Sequence, residues 1–400
     1  MNKAELFVQN LSRKTFLSMW GCPNPQGKEK GKELCDFLVV CDPYIIIFSV
    51  KEIQFLDKGD TILAVDRWRR KAIEESTKQI YGAEHLINTL DQVVKNNREN
   101  WLQLPGQSMR RVFRIAVALG SKGQAPILSK DFGRGFVHVF DEVSFGEIIC
   151  ELDTIIDIVN YLKAKEELFS RETSFIITGG EEDLMAFYLC NNSAFPKRHD
   201  VVVVDEGVWS DFSKSLASLQ KKRDDKISYA WDRLIEIFCE DFYNGDLEIG
   251  DSLEQIEFTM REMARESRFN RRILAKHFTD FLNNAKKKKI RSRKVQSPSG
   301  TVYVFLVHPR GEDRQFRIAD LGNRCFVARG TTRGCRTVVG IATETYEGKA
   351  GFSLDVVYLH MPTWTEEDQA HCDSMQNELN YFLNPMITLT REQEYPDGHL

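Results

Sequence analysis

The chain predicts an α/β fold, a mixed sheet flanked by helices, followed by a second α+β domain. Three observations predict it. Two apolar runs, Leu34 to Cys41 and Tyr44 to Val50, are parted by Asp42-Pro43; helical periodicity lies on either side of that pair; and past about residue 172 short strands alternate with two long helical stretches. At 400 residues the chain exceeds what one hydrophobic core serves, so two domains are expected, 1–171 and 172–400.

Each element follows from its pattern. Residues 3 to 20 place Leu6, Phe7, Asn10, Leu11, Lys14, Leu17 and Trp20 at helical spacing, and the Gly- and Pro-containing stretch to Lys32 reads as a loop. The two apolar runs read as a β-hairpin turned at Asp42-Pro43, the second run rich enough in β-branched and aromatic residues to be a central strand buried on both faces. Trp68, Ala72, Ile73, Ile80, Ala83 and Ile87 give one face of a long helix from Asp66 to about Leu90. Strands are expected at 112–119 and 136–140, and a helix over 151–169 capped near Asp153 or Thr154. In the second domain, strands are expected in TSFIIT and DVVVVDEG, helices over 213–243 and 251–285, and strands at 301–307, 325–328, 336–342 and 353–359.

Composition bounds the function. Apolar residues at 42% and charged residues at 28% belong to a globular protein, and a net charge of −5 argues against wholesale coating of nucleic acid while leaving room for a local basic patch. The nine cysteines are scattered without a Cys-x-x-Cys pair, which reads as reduced, buried thiols without a structural zinc site. No leader pattern opens the chain and its longest apolar run is too short for a membrane span, so a cytoplasmic protein without a membrane partner is expected.

Ionisable groups crowd the ends of the two apolar runs: Glu33, Asp36, Asp42, Lys51 and Glu52. Metal-dependent phosphodiester cleavage needs oxygen ligands for a hard cation and a nearby ammonium to position water or to stabilise developing charge. In a hairpin turned at Asp42-Pro43, residues 35 to 37 lie opposite 48 to 51, and Ser49 and Lys51 share a strand face. Asp36 and Lys51 then converge. The bland alternative is that charges at strand ends only mark the return to solvent.

The arrangement of Glu5, Asp36 and Ser49-Val50-Lys51, followed by a helix with Lys78-Gln79, resembles the PD-(D/E)xK nuclease superfamily, its nuclease-related and Mrr-like branches in particular, over roughly residues 1 to 120. The resemblance implies a restriction-endonuclease-like sheet and a catalytic set of Glu5, Asp36, Ser49, Lys51 and Gln79. It also implies Mg2+ or Mn2+ held by Asp36 and Glu5, and a nucleic-acid substrate. The departure is Ser49, where the family carries an acid. Some restriction enzymes of the superfamily have Ser-x-Lys and a carboxylate moved to the following helix, which makes Asp66, Glu74 and Glu75 candidates, with Glu33 as a spare. A domain of this kind joined to a second one matches proteins of restriction and anti-phage defence at the level of fold alone. The competing expectation is a catalytically inactive module that holds nucleic acid or a protein partner, a second copy of the chain among them.

Three basic clusters remain. Arg67 to Lys71 has acids within helical pairing distance, at Glu74 and Glu75, and reads as a solvated face. Arg265 to Arg272 admits a solvated face or phosphate contact. In Lys286 to Lys294 seven of nine residues are basic and no acid interrupts them, so Lys286, Lys287, Lys288, Lys289, Arg291, Arg293 and Lys294 are expected to touch phosphates or to complement a helix end. Asp141/Glu142 offer a pair of acids, Gly179 to Asp183 reads as a helix cap, and the eight histidines show no ligand spacing.

Overall fold

The two apolar runs pair as a hairpin at the middle of a six-stranded sheet. A computed structural model describes residues 3–27, 33–94, 101–125, 127–170, 174–197, 201–244, 253–287, 290–345, 353–383, 385, 387 and 391–395. The chain divides into two compact units, Met1–Leu219 with Asp397–Leu400, and Gln220–Pro396. The expected boundary at 171/172 falls inside the first unit.

In chain order the first unit contains α1 (Lys3–Trp20), β1 (Gly21–Pro23), β2 (Phe37–Cys41), β3 (Tyr44–Glu52), α2 (Thr61–Arg69), a π-helical turn (Arg70–Glu74) leading into α3 (Glu75–Ile87), the β4 (Gln92–Val94) and β5 (Trp101–Gln103) pair, β6 (Arg111–Leu119), β7 (Lys130–Asp131) and β8 (Phe136–Phe140). There follow α4 (Glu142–Glu151), α5 (Ile155–Phe169), β9 (Ser174–Ile177), α6 (Glu181–Cys190), β10 (Val201–Val204) and α7 (Val208–Lys214). The unit boundary cuts α8 (Leu216–Asp224).

The sheet order is β1-β2-β3-β6-β8-β7, antiparallel from β1 to β3 and again at β7–β8, parallel at β3–β6 and β6–β8. Pleating sends alternate residues to opposite faces. Leu38, Val40, Ile45, Ile47, Ala116, Ala118, Val137 and Val139 pack with Trp68, Ala72, Ile73, Ile80, Ala83 and Ile87 of α2 to α3. On the other face Phe37 and Phe48 meet Phe16 of α1 and Phe145 of α4 edge to face or tilted. Ile45 to Phe48 are fully buried, as expected for a central strand with both faces covered.

Several expectations are corrected. The loop read over 21–32 begins with the edge strand β1, paired to β2. Helix α1 buries Ala4, Val8, Ser12, Thr15 and Phe16 together with the expected Leu17 and Trp20, and leaves Leu6 and Phe7 exposed; Thr15 donates to the Ile149 carbonyl of α4 at 3.1 Å. Asp141 is the N-cap of α4, a helix the sequence reading lacked, and its carboxylate accepts from the Ser144 amide at 2.8 Å.

The second unit holds α9 (Tyr229–Asn244), α10 (Leu253–Ala264), α11 (Arg268–Lys286), β11 (Ser292–Gln296), β12 (Val302–His308), α12 (Arg314–Gly330), β13 (Thr337–Glu344), β14 (Leu354–His360) and α13 (Glu366–Leu379). Its sheet runs β11-β12-β13-β14, with β12 and β13 parallel. The strand expected at 325–328 is helical. Leu321, Cys325 and Ala328 are buried at the helical period in α12, and that period outweighs the strand propensity of so short a run. No described helix is long and apolar enough to cross a membrane.

A candidate active site at the carboxyl end of the central strands

Strand β3 outlasts β2. Pairing ends at Phe37 opposite Phe48, while β3 continues to Glu52, so the Val50 amide has passed the last ladder partner on that side. The Asp36 carboxylate takes its place, accepting from the Val50 amide at 2.6 Å, while the Asp36 amide donates to the Phe48 carbonyl at 3.2 Å. One side chain therefore ends the hairpin and is fixed at the carboxyl end of the parallel strands, the end where open α/β sheets place ligands.

Ser49 and Lys51 point to the α3 face of β3. Ser49 is buried, and its hydroxyl donates to Gln79 Oε1 of α3 at 2.9 Å. That bond leaves the amide nitrogen of Gln79, itself an exposed residue, free to face outward. Lys51 lies half-buried opposite Ala118.

The electrostatics around Asp36 are unusual for a strand end. Burial pushes its carboxyl above the ordinary aspartate value, and the nearby Glu5 charge on α1 adds to the rise. The Val50 amide, the Lys51 ammonium and the Ser49 hydroxyl pull the other way and do not cancel it. Glu5, Lys51, the Val50 amide and Ser49 thus act on Asp36, and Gln79 joins them through its bond to Ser49.

The candidate substitute acids separate. Asp66 stands 3.0 Å from Arg69 Nη2, Glu74 stands 3.7 Å from Arg69 Nε, and Glu33 accepts from Asn24 Nδ2 at 3.2 Å. Glu75 is exposed and lies one turn before Gln79 in regular α-helix, so the two share a face. The π-helical turn just before it, Arg70–Glu74, shifts the phase that the upstream residues would otherwise have. Oxygen donors of this kind suit Mg2+ or Mn2+, which take one or two carboxylates and complete their shell with water and substrate phosphate. Among the described residues no three His, Cys, Asp or Glu side chains form a ready-made metal cage.

The basic clusters take different places. Arg67, Arg70 and Lys71 are exposed on α2 and the π-helical turn. Arg268, Arg271 and Arg272 are buried rather than solvated, the first two paired with Asp232 at 2.9 and 2.7 Å. The run at 286–294 is not one surface: Lys286 and Lys287 are exposed at the end of α11, and Lys288 and Lys289 lie outside the described residues. Arg291 is exposed, Arg293 donates to the His277 carbonyl at 2.9 Å, and Lys294 donates to Thr331 and Thr332 at 3.1 Å.

Sequence spacing missed three groupings. His308 lies 2.8 Å from Asp320 and 2.7 Å from Glu312. His138, which burial and nearby Lys165 hold well below the usual histidine range, lies 3.2 Å from Glu166, whose carboxyl burial pushes up to about 7. Buried Lys165 pairs with Glu181, so Glu181 is an ion-pair partner, while capping of α6 falls to Asp183, which accepts from the Gly180 amide at 2.9 Å. Only the four-residue step from His308 to Glu312 had a readable spacing.

No family model, curated protein or solved structure matches the chain.

Proposed function

We propose that the first unit is a divalent-metal-dependent nuclease domain of the PD-(D/E)xK type, cleaving phosphodiester bonds in nucleic acid. The observation that supports it is the gathering of Asp36, Lys51 and Gln79 at the carboxyl end of β3, where burial and then the Glu5 charge raise the proton affinity of Asp36. Acid beside acid is unfavourable in a fold and becomes favourable once a cation lies between them. The mixed sheet flanked by helices agrees with the restriction-endonuclease-like architecture that belongs to this proposal.

Asp36 and Glu5 would hold the Mg2+ or Mn2+ ion, with Glu75 as the third acid in place of Ser49. When bound, the ion supplies Lewis-acid polarisation of the scissile phosphate and compensates its charge. Lys51 places its ammonium where the phosphoryl oxygens gain charge as water forms the new P–O bond and the bond to the leaving sugar oxygen breaks. Ser49 holds Gln79 Oε1, so the Gln79 amide group is presented to water or phosphate in a fixed direction.

Ser49 also favours a second reading, an inactive module that keeps nucleic-acid binding, because its hydroxyl is committed to Gln79 and no carboxylate replaces it on β3. One experiment separates the two. The full chain is incubated with plasmid DNA, linear DNA and RNA in Mg2+ or Mn2+. Cutting that disappears in Lys51→Ala and Asp36→Ala supports the nuclease; binding without cutting under every condition leaves the inactive module. A role in restriction or anti-phage defence, in the cytoplasm, completes the proposal and is tested by phage challenge of cells with and without the Lys51→Ala protein.

A further inference from the structure

Next to Lys51, on the neighbouring strand, the chain leaves β6 through Gly120-Ser121-Lys122-Gly123. Gly120, Lys122 and Gly123 all have left-handed φ, +94°, +51° and +74°. This conformation turns the amides of Gly120 and Lys122 to one side, and both meet the same carboxylate: Glu142 Oε2 accepts from Gly120 at 3.3 Å and Oε1 from Lys122 at 3.2 Å. Backbone amides gathered in this way form an anion-binding concavity. Gly120 is required there twice over, by its φ and because a Cβ would stand 2.5 Å from the Ile53 carbonyl oxygen. Ser121 is fully buried and its hydroxyl has no hydrogen-bond partner among the described residues.

We infer that the amides of Gly120 and Lys122 are a cradle for a backbone phosphate of the nucleic-acid strand at the Asp36–Lys51 site, and that Glu142 fills it when no polyanion is present. The inference rests on the nuclease reading for the identity of the polyanion. Place supports it: the cradle follows the carboxyl end of β6, whose Ala118 pairs with Lys51, and its Gly120 amide faces away from β3, toward the start of α4.

Chemistry supports it as well. The two oxygens of one carboxylate bridging two amides reproduce the O–P–O edge of a phosphate, but at 3.2 and 3.3 Å the bonds are at the long end of the hydrogen-bond range. A phosphate brings more charge and a third oxygen, and Lys122 is exposed beside it. Displacement costs Glu142 little, because it is the first residue of α4 and its carboxylate still sits at the positive end of that helix when it swings out.

The test uses the full chain without metal, so that nothing is cut. Glu142→Ala and, as the gentler change, Glu142→Gln are compared with Glu147→Ala, which removes the same charge farther along α4. The probes are a 5′-phosphorylated DNA duplex, for affinity, and inorganic phosphate, for the Gly120 amide. Carbonyl-labelled leucine with nitrogen-labelled glycine singles out the Leu119–Gly120 and Leu321–Gly322 pairs by NMR. Either Glu142 variant is expected to bind the duplex about tenfold tighter than the Glu147 variant does, and the Leu119–Gly120 signal to move saturably with phosphate. Equal affinities for the Glu142 and Glu147 variants, or a Gly120 amide that phosphate does not move, would overturn the cradle. A cradle that binds phosphate in a protein that never cuts nucleic acid would overturn the nuclease reading and leave the cradle standing.

Discussion

Two partly buried aspartates, one in each unit, have opposite fates. Asp320 in the second unit suffers desolvation, yet its carboxyl lies below the ordinary value because Tyr381, His308 and Arg324 outweigh that cost. Asp36 in the first unit suffers the same desolvation and lies above it, because the cation and donors around it are outweighed and its neighbour Glu5 is another acid. Three other buried acids of the second unit are matched by cations, whereas buried Glu266, whose carboxyl burial raises, is held by Ser297, Ser299, Asn270 and Tyr303. Asp232 is paired with Arg268 and Arg271, Asp355 with Arg314 and Arg317, and Asp225 with Lys221 and Arg272. A buried acid matched by cations is settled within the fold, as Glu266 is by its hydroxyl and amide donors; one short of both, as Asp36 is, is where the nuclease proposal puts its cation.

The largest expected effect is on chemistry. Under the nuclease proposal, Lys51→Ala and Asp36→Asn each lower the cleavage rate by about a thousandfold or more, the scale of removing one charge-stabilising or ligand group. Circular dichroism of both variants is expected to remain that of the native protein. A variant that still cuts at the native rate would remove its residue from the site.

The second unit inverts this pattern. Arg271 is fully buried and its guanidinium serves Asp232 and the carbonyls of Glu266 and Ala264. Arg271→Ala is expected to destabilise that unit by about 3 kcal/mol, since it leaves a buried acid with one partner fewer and two carbonyls without their donor. Chemical denaturation measures it. A loss under about 0.5 kcal/mol would class the arginine with surface charges, whose removal costs little.

Asp36→Asn sharpens the comparison through stability. The Asp36 pKa is raised in the fold above the roughly 3.9 of an unfolded aspartate. Between the unfolded and the raised folded value the native state binds more protons than the unfolded chain, so stability falls as pH rises through that window and the loss is complete above it. Asparagine keeps an oxygen for the Val50 amide and carries no charge. The variant is therefore expected to melt about 2–4 °C higher than the native protein at pH 7, with the gap closing below pH ~4. A variant that melts lower at pH 7 would mean that Asp36 is stabilised by its surroundings, as Asp320 is.

Much of the first unit was legible because its signals are local. The hairpin, its turn at Asp42-Pro43 and the opposition of Asp36 to the end of β3 follow from alternation and turn chemistry, which fix register without distant contacts. The contact of Gln79 with Ser49 was not legible, since it depends on α3 packing on the Ile45 and Ile47 face of the strand and only the family resemblance had pointed to Gln79. The Gly120–Lys122 cradle was not legible, since Glu142 reaches it from twenty residues away and no short motif encodes that approach. In the second unit, Arg265 to Arg272 looked like surface charge because sequence spacing carries no record of Asp232, more than thirty residues upstream. The 325–328 strand failed for a different reason: a four-residue apolar run fits either period, and the buried residues at 321, 325 and 328 that decide it are defined only by packing.

The smallest expected effect concerns the basic run. Arg293 and Lys294 already have protein partners, which leaves Lys286, Lys287 and Arg291 as its exposed, described members. Lys286 and Lys287 close the last turn of α11, where a positive charge interacts with the helix dipole by about 0.3–1 kcal/mol each. If the proposed nucleic-acid partner crosses this turn, Lys286→Ala with Lys287→Ala weakens binding alike for all sequences. It should also flatten the slope of log affinity against log salt by about 2, one unit for each phosphate released. Counterion release is the discriminating quantity, because loss of a helix-end charge alters folding stability without touching that slope. The expected result is the flatter slope with the melting temperature nearly unchanged. An unchanged slope, accompanied by a drop in melting temperature, would assign both lysines to the helix end and leave the approach of nucleic acid to the first unit's own exposed cations, Arg67, Arg70, Lys71 and Lys122.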